Sequence, residues 1–142
     1  MRNIKFIFFI FFITPFLSTT LSAEKNYFSE GEKLFKKKNF IKSKFQFEKD
    51  IVFNPKNEKS YLYLAKIYKL EKKDKFEEQN LQTVILLDPK NEEAIYLLTL
   101  LKIKQSNYEK SNQLIKNFEA VCSNLCDNQK ELKEKIKDLQ PK

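Results

Sequence analysis

The sequence predicts an all-α fold, a solenoid of three helix-turn-helix repeats with a C-terminal capping helix. The chain of 142 residues contains one Gly and four Pro, too few for the tight turns of a many-stranded sheet, while its Leu, Lys, Glu and Gln favour helices. Apolar residues recur at helical spacing, as at Tyr61, Leu64 and Tyr68. The motif "PKNE" begins at both Pro55 and Pro89, 34 residues apart, which indicates an internal repeat.

The first residues are expected to form an export signal rather than part of the fold. Arg2 and Lys5 give a positive start, Phe6–Leu17 is an apolar stretch broken by a proline, and Leu21–Ala23 offers small residues for cleavage. The apolar stretch is short for a bilayer span. We therefore expect residues 1–23 to be a cleaved signal peptide and the mature chain to be exported, to the periplasm or another extracytoplasmic space. The alternative is an uncleaved anchor in the inner membrane.

Six breaks in the apolar pattern predict seven helices. Asn57 and Asn91 each precede an acidic first turn and are suitable N-caps. Pro55 and Pro89 end the helices that precede them. The breaks lie at Lys36–Phe40, Asn54–Asn57, Lys72–Phe76, Asp88–Asn91, Gln105–Tyr108 and Cys122–Asn128.

The repeating unit is therefore two short helices followed by a turn marked by proline. The first unit shows its aromatic, small and proline positions in order, at Tyr27, Gly31, Phe40, Ser43, Phe47 and Pro55. This pattern resembles the tetratricopeptide repeat (TPR), a helix-turn-helix of 34 residues, and with the export signal the chain is similar to an exported bacterial TPR protein. The resemblance implies three repeats within residues 24–124, at about 25–57, 58–91 and 92–124.

Two units depart from the strict period. In the middle unit the aromatic residue that opens the second helix, Phe76, stands two residues late, so we expect a longer first helix or turn and a shorter second helix. In the third unit Ser123 replaces the closing proline, as is common for a terminal repeat.

The last segment, residues 125–142, is expected to form the capping helix. Leu132, Ile136 and Leu139 make one apolar stripe that can cover the last repeat, and Asp127 is a suitable N-cap. The stripe is thin and lacks aromatic residues, which disfavours a membrane-surface helix.

Cys122 and Cys126 lie where the sixth helix is expected to end. In an exported chain a structural disulfide between them is the first interpretation. Free buried thiols and a redox or metal-binding pair are the alternatives, the last disfavoured by the spacing and by the absence of His.

Composition argues against an enzyme. The chain has no His, no Gly-rich phosphate loop and no nucleophile motif, so we predict no catalytic, cofactor-binding or metal-binding residues. Its net charge of +8 comes almost entirely from Lys, which fits a solvated surface better than nucleic-acid binding through Arg. Attraction to anionic lipid or to an acidic partner stays open.

The resemblance also implies a concave groove lined by the first helix of each repeat. The candidate groove residues are Phe28, Phe35, Leu62, Tyr63, Lys66, Lys69, Tyr96 and Leu100, with Glu32, Lys36, Leu97 and Ile103 beside them. Such a surface suits a partner segment with apolar and acidic side chains. The clamp of Lys, Arg and Asn that grips a terminal carboxylate in one use of the family is not reproduced.

These observations predict a non-enzymatic scaffold or adaptor of the bacterial cell envelope that binds a peptide or helix of another protein in the groove. The alternatives are a membrane-tethered structural component of an envelope complex, held by an uncleaved N-terminal anchor, and a thiol enzyme. Self-association is a further expectation left open.

Overall fold

A computed structural model describes residues 26–139, so the expected signal peptide lies outside the described residues. The described part contains seven α-helices and no strand, as the sequence predicted. The helices are α1 (Tyr27–Lys36), α2 (Phe40–Phe53), α3 (Glu58–Leu70), α4 (Asp74–Leu87), α5 (Glu92–Lys104), α6 (Tyr108–Val121) and α7 (Asn128–Leu139). They pack as consecutive pairs, α1 with α2, α3 with α4 and α5 with α6, and each pair contacts the next. No helix among residues 26–139 is long and apolar enough to cross a membrane.

The 34-residue period is stricter in the structure than the sequence suggested. The second helices begin at Phe40, Asp74 and Tyr108, and each is 14 residues long. The expectation of a shorter second helix in the middle unit is therefore wrong. The turn before each of these helices contains a residue in the left-handed region, Lys38, Lys72 or Ser106, at φ 58°, 56° and 56°. This turn geometry recurs in all three repeats and fixes where the second helix starts. In α4 the first residue is the acidic Asp74, which lies at the positive end of the helix, instead of an aromatic residue such as Phe40 or Tyr108.

Asparagine side chains cap four of the helices. Asn26, Asn39, Asn91 and Asn107 each accept a hydrogen bond from the backbone amide three residues later. The predicted cap at Asn91 is confirmed, because its Oδ1 accepts a 3.0 Å hydrogen bond from the Ala94 amide. Asn57 stands at the N-cap position of α3 without a side-chain cap bond. Its side-chain NH2 group instead donates a 2.7 Å hydrogen bond to the Asp50 carboxylate.

The core changes character along the array. Around the first repeat it is aromatic: Phe47 is fully buried with Leu64 and Ile67, and partly buried rings surround them. From the second repeat onward it is mainly aliphatic and continues through α5 and α6. Leu132 and Ile136 of α7 are 0% and 6% exposed in this second cluster, so α7 covers the last repeat as predicted.

Candidate functional site

The candidate site is the surface formed by α1, α3 and α5, called here the groove face. It is defined by the partly exposed residues Phe28, Phe35, Tyr63, Lys66, Tyr96, Leu97 and Leu100 and by the exposed Lys69. A polar side-chain contact joins each neighbouring pair of helices along this face, and another joins α5 to α7. Glu32 pairs with Tyr63, Lys66 with Glu93, and Tyr96 with Glu131.

Tyr63 is the centre of the aromatic part of the groove face. Its ring stacks on Phe47 with centroids 4.8 Å apart and meets Phe35 edge-on at 5.0 Å. Its hydroxyl donates a 3.0 Å hydrogen bond to Glu32 Oε1. Burial, together with this bond and the Glu32 charge, raises the pKa of Tyr63 to about 12. The residue therefore serves the packing of α1 on α3 as well as presenting an edge to the groove.

Phe28 and Phe35 also pack internally. The Phe28 ring lies 5.9 Å from both Phe47 and Tyr63, and Phe35 lies 5.3 Å from Phe40. Both remain partly exposed. They therefore contribute a fixed apolar surface that a partner can contact without moving these rings.

The ammonium group of Lys66 is already engaged within the protein, so it is less available to a partner than the sequence suggested. Its Nζ lies 2.7 Å from Glu93 Oε1, and it also stands over the Tyr63 ring at 5.1 Å. Lys36, at the end of α1, pairs with Glu32 at 3.4 Å. Lys69 is exposed and makes no ion pair with a described residue. Of these three lysines, Lys69 is therefore the one that can meet a carboxylate of a partner directly.

On α5 the groove face is apolar. Leu97 and Leu100 are partly buried against the core and keep part of their surface exposed. The Tyr96 hydroxyl donates a 2.9 Å hydrogen bond to Glu131 of α7. Burial, followed by this bond, raises the pKa of Tyr96. Two predicted groove residues lie elsewhere: Leu62 is 9% exposed and Ile103 is 4% exposed, and both belong to the core.

Sequence reasoning missed the acidic partners Glu93 and Glu131 of the groove face. Glu93 lies in the acidic first turn of α5, and Glu131 lies in the capping helix α7. Each lies 27 or more positions from the groove residue that it binds. No local spacing marks such a pair, because the contact depends on how separate helices pack.

Solved structures resemble this arrangement of helices, although neither protein-family models nor the sequences of curated proteins match the chain. The TPR2B domain of yeast Sti1, solved with pHsp70, aligns with a TM-score of 0.73 and 13% identity, covering 80% of this chain and 95% of the other. The first TPR of Spaghetti (RPAP3), bound to an HSP90 peptide, aligns with a TM-score of 0.71 and 17% identity, covering 80% of this chain and 90% of the other. The Arabidopsis OM64 TPR domain aligns with a TM-score of 0.70 and 16% identity, covering 79% of this chain and 92% of the other.

The chain has the tetratricopeptide-repeat fold. The alignments cover about four fifths of it, which matches the span of the described helices. At these identities the likeness concerns the fold, and the side chains of the groove face have to be judged on their own contacts.

One departure from the repeat pattern lies inside the TPR fold. Glu77 occupies the position of Ser43 in the first repeat and Ser111 in the third, and it is only 4% exposed. Burial raises the pKa of Glu77, and the nearby charge of Lys69 opposes that rise. The Ser43 hydroxyl donates 2.8 Å to the Gly31 carbonyl, so this position packs the two helices of a repeat together.

The TPR array ends in a loop that α5 holds in place. The Glu92 carboxylate accepts hydrogen bonds from the Ser123 hydroxyl at 2.6 Å, the Leu125 amide at 2.8 Å and the Asn124 amide at 3.0 Å. The Ser123 hydroxyl, followed by these amides, lowers the pKa of Glu92 to about 2. This interaction takes the place of the turn that a proline closes in the first two repeats.

Cys122 and Cys126 flank the same loop. Their Cα atoms are 5.3 Å apart, and their sulfur atoms are within bonding distance. Helix α6 ends at Val121 and α7 begins at Asn128, so the predicted break between the cysteines is confirmed. No group of three or more His, Cys, Asp or Glu among residues 26–139 is placed to hold a metal ion.

Proposed function

We propose that this chain is a non-enzymatic adaptor of the bacterial cell envelope that binds a peptide or helix of another protein on the groove face. The observation that carries the proposal is the row of partly exposed apolar residues on α1, α3 and α5 of a TPR fold. Apolar side chains held by a rigid scaffold are typical of helix and peptide recognition. Two similar TPR structures were solved as complexes, one with pHsp70 and one with an HSP90 peptide.

The internal contacts of the groove face define the partner more narrowly. Lys66 and Glu32 are engaged by neighbouring helices, so a partner gains little by competing for them. Apolar contact is offered by Leu97, Leu100, Phe28 and Phe35. Lys69 offers an exposed ammonium group that forms no ion pair with a described residue, although its charge also acts on Glu77. The partner segment is therefore mainly apolar, with an acidic side chain positioned to reach the end of α3.

The expected export signal at residues 1–23 is the support for an envelope location. N-terminal sequencing of the protein from its own cells is expected to begin at Glu24. Recovery of Met1 or Arg2 as the N-terminus would favour the alternative, a tethered structural component that keeps Phe6–Leu17 as an anchor.

Binding on the groove face is tested by placing a photo-crosslinking amino acid at Leu100 in the protein produced in its own cells. The same substitution at Leu86, which is 80% exposed on α4, is the control position. A partner recovered from position 100 and not from position 86 supports the proposal. Equal recovery at both positions, or none at position 100, contradicts it.

A matched pair of variants tests the chemistry of that contact. Leu97→Gln with Leu100→Gln is expected to abolish the crosslinked complex, whereas Val52→Gln with Leu86→Gln, on the second helices, is expected to preserve it. Helical circular dichroism and thermal melting must show that both proteins remain folded. Loss of the complex in both folded variants would place the partner elsewhere.

A further inference from the structure

The turns α1–α2 and α3–α4 lie at one edge of the solenoid, because the first helices of successive repeats run in the same direction. Ion pairs tie these turns together. Lys44 on α2 places its Nζ 2.7 Å from Glu71 Oε1 in the second turn, and Lys73 lies 2.7 Å from Glu71 Oε2. Lys104 at the end of α5 contacts Asp74 at 2.7 Å. The edge is therefore a connected surface rather than a set of separate loops.

This surface has an excess of positive charge. Its partly exposed carboxylates Glu71, Asp74 and Glu78 already form ion pairs with lysines. Hydrogen bonds from Lys44 and Lys73 lower the pKa of Glu71. A further set of lysines is exposed, and its members form no ion pair with any residue among 26–139. We call this set the lysine edge: Lys37, Lys38, Lys42, Lys72 and Lys75.

Large apolar side chains stand among these lysines in contact with water. Ile41 is 81% exposed, Leu70 57%, Phe45 54% and Phe76 48%. All four lie in the first two turns of α2 or α4, or at the end of α3. Exposed apolar groups that cluster beside one sign of charge mark an interaction surface.

We propose that the lysine edge, with these four apolar residues, docks onto the surface of a bilayer that contains anionic lipids. Lysine ammonium groups attract headgroup phosphates as point charges, while apolar side chains enter the boundary between headgroups and acyl chains. The residues lie on turns and helix ends, so a flat surface can reach both turns at once. The opposite edge also exposes apolar side chains, such as Val52 and Leu86. Its lysines Lys56 and Lys90, however, alternate in sequence with acidic residues, so it has less excess positive charge: Glu58, Asp88 and Glu92.

Vesicle flotation of the full chain tests the proposal. The probes are vesicles of phosphatidylcholine alone and of phosphatidylcholine with phosphatidylglycerol. Lys37→Glu with Lys42→Glu and Lys75→Glu alters the lysine edge, and Lys56→Glu with Lys59→Glu and Lys90→Glu makes the same change in net charge on the opposite edge. Both variants keep residues 1–25, so any membrane affinity of that segment is equal in both.

The wild type is expected to float preferentially with the anionic vesicles, and less so at high salt as the charges are screened. The lysine-edge variant is expected to lose about tenfold of this partitioning, and the opposite-edge variant much less. Equal losses in the two variants, or equal flotation with both vesicle types, would overturn the proposal. Retention on a polyglutamate resin without flotation would also overturn it, by assigning the edge to an acidic protein.

A fluorescence measurement locates the contact independently of charge. The chain contains no Trp, so Phe76→Trp supplies a single reporter at the lysine edge and Leu86→Trp supplies one at the other end of α4. Anionic vesicles are expected to shift the emission of the Phe76→Trp protein to shorter wavelength and to leave that of the Leu86→Trp protein unchanged. A shift at position 86 alone, or no shift at either position, would contradict the proposed orientation.

Discussion

The Ser60 hydroxyl donates a 2.5 Å hydrogen bond to the Asp50 carboxylate in the interior of the junction between the first two repeats. Asp50 is 2% exposed and also accepts bonds from the side-chain amides of Asn54 and Asn57. In the next junction the equivalent positions are Val84 and Ala94, both fully buried. The same backbone junction is therefore filled by a polar network in one place and by an apolar pair in the other.

Asp50→Ala is expected to lower the free energy of unfolding by about 2–3 kcal/mol, because it leaves the buried Ser60 hydroxyl and two amide groups without their acceptor. Denaturant unfolding followed by circular dichroism measures the loss. Asp50→Val with Ser60→Ala copies the second junction and is expected to recover most of it. If the double variant is as unstable as Asp50→Ala, the two positions are not coupled in this way.

Gly31 is expected to resist substitution because of its contact with Phe47. A Cβ atom at position 31 would lie 2.8 Å from Phe47 Cε1, and the Phe47 ring is fully buried. Gly31→Ala should therefore destabilise the protein by about 1–3 kcal/mol, despite the helix preference of Ala. In the second repeat Ala65 and Leu81 occupy these two positions. Thermal unfolding should show a smaller cost for Gly31→Ala in a Phe47→Leu background, and an equal cost would contradict the steric explanation.

Two substitutions at Tyr63 are expected to distinguish the contribution of ring packing to stability from that of the hydrogen bond. Tyr63→Phe removes only the bond to Glu32 and should cost about 1 kcal/mol. Tyr63→Ala also removes the ring stacked on Phe47 and should cost about 3 kcal/mol, which makes it a poor variant for testing binding. Denaturant unfolding distinguishes the two, and equal costs would show that the ring contributes nothing.

The pKa of Tyr63 also predicts a pH dependence. Its pKa is raised from 10.0 to about 12 in the folded protein, so the unfolded chain loses this proton first. Stability is therefore expected to fall as pH rises from 10 towards 12, and to fall less in Tyr63→Phe. Spectrophotometric titration should show that one fewer tyrosine ionises near pH 12 in Tyr63→Phe than in the wild type.

Glu92 is expected to contribute stability that is lost in acid. Its pKa is lowered from 4.5 to about 2 in the folded protein, so the unfolded chain binds the proton more readily. The contribution is present above pH 4.5 and declines towards pH 2. Glu92→Gln should therefore melt at lower temperature than the wild type at neutral pH, with the difference shrinking in acid. Glu58→Gln, at the same position of α3, is the control, and an identical effect there would contradict the role of the loop.

The Cys122–Cys126 pair is expected to be oxidised in the exported protein. Intact mass should show two hydrogen atoms fewer than the dithiol form, and alkylating reagents should not label the unreduced protein. Closing so short a loop restricts the unfolded chain by about 2 kcal/mol, so reduction or Cys122→Ser with Cys126→Ser should lower the melting temperature. Alkylation of both thiols without reduction would contradict the bridge.

Most of the fold could be predicted because its signals are local. Each signal is a pattern within a short stretch of sequence: the helical periodicity, the asparagine cap at Asn91 and the repeated proline turns. The late start proposed for α4 failed for the opposite reason. Phe76 was the local aromatic signal, whereas the left-handed residue at Lys72 and the packing of neighbouring repeats set the start at Asp74.

The groove face was less predictable than the helices. Its helices followed from the resemblance to TPR proteins, but Leu62 and Ile103 belong to the core and Lys66 is held by Glu93. Each of these outcomes depends on a neighbouring repeat. A periodic pattern shows that a residue faces inward or outward, and it does not show which distant side chain lies opposite.

The sequence by itself determined the 34-residue period, the seven helices, the break between the cysteines and the cap formed by Leu132 and Ile136. The tertiary structure decided that Asp50 and Ser60 form a buried polar junction, that Glu92 closes the third repeat, and that the groove face is joined through Glu32, Glu93 and Glu131. The physical reason is range: helix formation and capping act within a turn or two of chain, whereas these contacts form only when helices far apart in sequence are packed together.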